Sequence, residues 1–145
     1  MSSEENAGIK INIAGGKEGA GKGLTKALVI EPAKFNLAGK KIGETFNGAL
    51  IGLPGYELKI TGGSDAAGIP MRKDVHGLGK KHVLLSKAPC YHPQREGMKK
   101  RKTVRGNELT DDMVQINCIV VKYGKEKFFS APEEKKKGAE EKKEE

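Results

Sequence analysis

Residues 113–124 read MVQINCIVVKYG, with five Val or Ile between Val114 and Val121. β-Branched side chains are stiff at χ1 and pack well on a pleated surface, so this run is the strongest strand signal in the chain. Outward from it, other segments carry the same signal more briefly. GIKINIA (8–14) alternates Ile9, Ile11 and Ile13 with polar neighbours, the two-residue period of a half-buried strand. LTKALVIE (24–31) is a second short apolar run, and the glycine-rich loop before it makes the two a hairpin. Thr45–Ile51 and Tyr56–Thr61 read as strands joined by the GLPG turn, and KKHVLLS (80–86) as another. PAKFNLAGK (32–40) has Pro32 at the start of a short helix and Gly39 just past its end. The fold expected is mainly β: a small antiparallel, barrel-like domain over residues 1–131 with one short helix.

Two segments stand apart. KAPCYHPQREGMKKRKTVRG (87–106) has two prolines, little apolar content and dense positive charge, and reads as an extended basic segment. PEEKKKGAEEKKEE (132–145) has no apolar pattern and is expected to be a disordered charged tail.

The hairpin loop, GGKEGAGKG (15–23), raises a chemical question. From Gly16 to Gly23 it fits the phosphate-cradling pattern GxxxxGK[ST] except at its last position, where Gly23 replaces the hydroxyl that binds Mg²⁺. The helix that such a loop must open would have to fit before Pro32. A hairpin turn satisfies the same residues.

The formal net charge is +8, and its placement is informative. Between Arg72 and Arg105 lie eleven basic residues and two acids, a surplus of nine. The remaining sixteen basic and seventeen acidic residues nearly cancel. The eleven are Arg72, Lys73, Lys80, Lys81, Lys87, Arg95, Lys99, Lys100, Arg101, Lys102 and Arg105. Unmixed positive charge repels itself unless a polyanion neutralises it, which points to nucleic acid. Tyr91 and His92 add one candidate pair for base stacking.

Other chemistries find little support. Cys90 and Cys118 are the only cysteines; they are not spaced as zinc ligands and read as reduced thiols of a cytoplasmic protein. No run approaches the 18 or so apolar residues of a membrane helix, and the polar N-terminus lacks a secretory signal. Ser64 beside Asp65 has no nucleophile context, and adjacent Asp111 and Asp112 suit a turn. No enzyme, cofactor or metal is expected.

Five stretches in order resemble one family: KKIGETFNG (40–48), LIGLPGYELKITGGSDAAGIPMRKDVHG (50–77), KKHVLLS (80–86), KKRKTVRGN (99–107) and DDMVQIN (111–117). They are similar to the small-subunit ribosomal protein six-e family in its archaeal form. The resemblance implies a β-rich structural constituent of the small ribosomal subunit. Such a protein binds ribosomal RNA beside other ribosomal proteins and is neither an enzyme nor a homo-oligomer. It also marks Gly62, Gly63, Asp65, Gly68, Pro70 and Met71 as the family's signature loop. The run before KTVRG is richer in lysine here than family members tend to be, and lysine meets phosphate as a point charge without arginine's planar fork. Two other readings stay open: a small nucleotide-binding protein using Gly16–Gly23, and a free nucleic-acid chaperone.

Overall fold

The computed structural model describes residues 8–16, 22–31, 34, 36–124 and 128–129. Seven strands form within them: β1 (Ile9–Ala14), β2 (Thr25–Ile30), β3 (Thr45–Asn47), β4 (Glu57–Asp65), β5 (Lys80–Leu85), β6 (Lys100–Arg105) and β7 (Met113–Lys122). Five make one sheet in the order β2-β1-β7-β4-β3, and β5 pairs with β6 in a separate two-stranded ribbon.

The alternation in β1 acts as the sequence predicts. Ile9, Ile11 and Ile13 are buried on one face, and their partners across the β1–β2 hairpin are Ile30, Leu28 and Lys26. Leu58 and Ile60 of β4, with Ile116, Cys118 and Val120 of β7, continue that apolar face. Among the described residues no long helix covers it. Side chains from connecting segments do: Leu37, Leu53, Tyr56, Met71, Leu109 and Phe129. Tyr56, Tyr123, Phe128 and Phe129 stack edge to face, with ring centroids 5.0–6.3 Å apart.

The structure corrects the expected architecture in four places. The five-stranded sheet is open, with β2 and β3 as edges, and is not a closed barrel. It is also mixed, because β1 runs parallel to β7, with Lys10 opposite Gln115 and Ala14 opposite Ile119. The N- and C-terminal strands meet through matching apolar faces, which alternation alone leaves unoriented. The strand expected at Thr45–Ile51 stops at Asn47. There the Asn47 side chain accepts from the Ala49 N–H at 2.9 Å and caps a single 3-10 turn, Gly48–Ile51. The fourth correction is that β4 runs on through Gly62 and Gly63 to Asp65, so half of the signature loop is strand. Register shifts beside Gly62 and Asp65 mark bulges, and at Gly63 the chains approach so closely that a Cβ would sit 2.5 Å from the Gln115 carbonyl oxygen.

The expected helix after Pro32 falls partly outside the described residues, and residues 36–40 are turn and irregular chain. The 132–145 tail and most of the 16–23 loop also lie outside. The ends of that loop are described: the Gly15 N–H donates to the Leu24 carbonyl at 2.8 Å, and a strand follows. The chain after Gly23 therefore lacks the helix that a phosphate loop opens.

Candidate nucleic-acid interface

The ribbon carries most of the basic window. Its register pairs Lys80 with Arg105, His82 with Thr103, Leu84 with Arg101 and Leu85 with Lys100. β6 therefore orders a stretch that composition suggested was merely extended. Leu85, Val104 and Tyr91 form a small core of their own, and Lys102 lies over the Tyr91 ring, 5.4 Å from its centroid. Tyr91 is buried and so does not present its face for stacking on bases; His92 is exposed.

The root of the ribbon, at Lys80 and Arg105, is tied to the large sheet. The Arg105 N–H donates to the Pro70 carbonyl at 2.9 Å, and the Arg72 N–H donates to the Arg105 carbonyl at 3.1 Å. Gly106 crosses Gly77 so tightly that a Cβ would fall 1.7 Å from the Gly77 carbonyl oxygen. Only glycine permits that crossing.

The signature loop explains the attachment. One carboxylate oxygen of Asp65, Oδ1, accepts from the Ala67 and Ile69 N–H groups at 2.9 Å each, which closes the turn. The other, Oδ2, meets Arg105 Nη1 at 3.1 Å and Lys80 Nζ at 3.2 Å. The Asp65 and Arg105 side chains are 2% and 6% exposed, so this is a buried ion pair. Arg105 Nη2 also donates to the Thr110 hydroxyl and to Asp112 Oδ2. Burial alone would raise the Asp65 pKa, but the Ile69 N–H, Lys80 and Arg105 together outweigh it and hold the carboxyl below its ordinary value. A cleft of about 370 Å³ opens here, and its charges answer one another.

The eleven predicted residues thus divide. Arg105 is internal. Arg72, with a side chain 15% exposed, donates to the Pro89 carbonyl at 2.8 Å and pairs with Asp74. Lys81 donates to the His76 carbonyl, Lys80 pairs with Asp65, and Lys102 covers Tyr91. Lys73, Lys87, Arg95, Lys99, Lys100 and Arg101 are exposed, with no side-chain partner among the described residues. Five of these six lie at the ribbon's far end or in the 86–99 loop that caps it; Lys73 is the exception. Of the signature residues, Gly62, Gly63 and Asp65 lie in β4, Gly68 turns with a φ of 75°, and Pro70 and buried Met71 dock β6. That Asp65 and Arg105 form a pair was hidden in the sequence, because they are forty residues apart and Arg105 sits in a basic run that looks uniform.

Among the described residues no three His, Cys, Asp or Glu side chains are grouped to hold a metal. Burial pushes the Cys118 thiol up to about 12, far from a reactive thiolate.

Comparison with known proteins fits this arrangement. Residues 22–131 match the family described as ribosomal protein S6e. The chain is 56% identical over 95 residues to small ribosomal subunit protein eS6 of Methanocaldococcus jannaschii, covering 66% of this chain and 72% of that one. It is 48% identical over 103 residues to the protein of that name from Methanobrevibacter smithii, covering 71% and 80%. With the Hyperthermus butylicus protein identity is 54% over 93 residues, covering 64% of this chain and 43% of that longer relative. With its signature loop, its KTVRG strand and its β7 all inside the matched region, the chain belongs to the ribosomal protein S6e family.

Proposed function

We propose that the protein is a structural constituent of the small ribosomal subunit and binds ribosomal RNA through the tip of the β5–β6 ribbon. The observation that carries this is the unmixed charge there. Lys87, Arg95, Lys99, Lys100 and Arg101 gather around the 86–99 loop with Glu96 as their only acidic neighbour in that stretch. An internally paired root and a small core with Tyr91, Leu85 and Val104 support this end. Exposed lysines and arginines on a rigid ribbon neutralise backbone phosphates and fix position by RNA shape more than by base edges. Engagement of about six phosphates gives a log K against log salt slope of roughly −5.

The test is incorporation. Lysate is fractionated on a sucrose gradient after a high-salt wash, for wild type and for a variant with Lys99, Lys100 and Arg101 all changed to Glu. Wild type should sediment with the small subunit and the variant should remain at the top. Equal incorporation of the two would refute the assignment of the tip.

A further inference from the structure

The five-stranded sheet has a second face, turned away from the core, which no other element covers among the described residues. Its make-up is unlike the rest of the surface. In a chain with 32% charged residues, its central row is neutral and polar: Asn12 on β1 opposite Asn117 on β7, in turn opposite Gly62 on β4. Asn117 Oδ1 accepts from Asn12 Nδ2 at 3.1 Å and from Gln115 Nε2 at 3.2 Å. The Asn117 amide nitrogen and the Asn12 and Gln115 side-chain oxygens have no partner among the described residues, so donors and acceptors both face outward. Lys10 and Lys59 flank this row. The one carboxylate among the strand residues of this face is Glu57, at its end and paired with Lys122 at 2.8 Å.

β7 gives an independent sign that this face is covered in use. It is the central strand, and apolar residues point to both of its sides: Ile116 and Val120 inward, with Ile119 half-buried and Val121 exposed on the other. A strand that is apolar on both sides is the pattern of one buried on both sides.

We propose that this face is a second RNA-contact surface, seated against the shallow minor groove of a double-stranded segment. The inference rests on the ribosomal reading above. Five strands about 4.8 Å apart span about 19 Å, a platform rather than a cleft. The A-form minor groove is wide and shallow and displays 2′-hydroxyls, each both donor and acceptor. Amides of both polarities in one row match that group, and two flanking lysines reach the phosphates. Protein-interface hot spots are enriched in Trp, Tyr and Arg, and this face has none of the three among its strand positions.

The experiment places a benzophenone amino acid at Ala27, Thr61 or Lys100 in the full chain, assembles each into small subunits and irradiates. Ala27 and Thr61 are exposed, on separate strands beside the amide row, and Lys100 reports the ribbon tip. Crosslinks from all three to ribosomal RNA are expected. Crosslinks from Lys100 to RNA, but from Ala27 and Thr61 to a protein or to nothing, overturn the second surface and leave the tip intact. Loss of the Lys100 crosslink overturns the tip itself. Should the sheet variants fail to assemble, purified protein with Ala27→Glu decides: the carboxylate added beside the amide row should lower its affinity for purified small-subunit RNA about tenfold by repelling phosphate, with unchanged melting. An unchanged affinity rejects the proposal.

Discussion

The root and the tip of the β5–β6 ribbon are built from the same kinds of residue, and they differ in what surrounds the charge. At the root, Arg105, Lys80 and Arg72 meet Asp65, Asp112 and Asp74, or backbone carbonyls, and their positive charge is answered inside the molecule. At the tip, Lys99, Lys100 and Arg101 have no anionic partner among the described residues. A basic residue in a ribosomal protein is therefore not by default an RNA contact. Its function follows from whether folding has already supplied an anion.

This contrast fails if root substitutions leave the fold intact. Arg105→Ala removes one guanidinium from three oxygen partners, and chemical denaturation should show a loss of about 3 kcal/mol, the lower end for breaking a buried pair, since Lys80 still faces Asp65. Arg105→Lys should recover only part of it, because an ammonium cannot span the same fork.

Tyr91→Ala tests the joint between the two ends. Loss of its buried ring from under Lys102 and against Val104 should cost about 3 kcal/mol, at the low end for a buried aromatic. Hydrogen exchange should show the opening confined to the ribbon and its 86–99 loop.

A smaller effect is the acid limb of stability. The Asp65 pKa is held below its unfolded value, so the stabilisation it brings is complete above about pH 4 and is lost as pH falls through the lower folded value. Asp65→Asn should therefore be less stable than wild type at neutral pH, and the gap should narrow under acid titration. A gap that stayed constant down to the acid transition would remove the carboxylate from the account of the root.

The smallest effect on folding belongs to the tip. Lys99, Lys100 and Arg101 changed together to Ala should shift stability by no more than about 0.5 kcal/mol each, as for unconstrained surface sites. The same variant should make the salt slope of RNA binding shallower by about 3, roughly one per phosphate contact. A tip variant that melts early, or one whose slope does not change, would erase the distinction between the two ends.

Local pattern was a reliable guide where one residue's surroundings are its neighbours in sequence. The Ile9, Ile11, Ile13 alternation, the hairpin into Thr25–Ile30, the β5 strand and the β7 run all form where pattern put them. The misreadings came where a local signal was outweighed. Gly62 and Gly63 look like loop residues, but β7 pairs them into β4, where Gly63 is required by close approach rather than by a turn. In the other direction, the apolar GALI segment looked like strand and became a 3-10 turn, because Asn47 caps it.

The sequence by itself determined that the chain is mainly β, that its surplus charge lies between Arg72 and Arg105, and that its motifs are those of one family. These are properties of composition, period and order along the chain. Only the tertiary structure decided that β1 lies parallel to β7, that the sheet stays open with one acid-poor face, and that five of eleven basic side chains are occupied internally. The physical reason is range. Alternation fixes which face of a strand is apolar but not which strand it meets, and a charge on an alternating strand is free or paired according to what distant segments bring within about 3 Å of it.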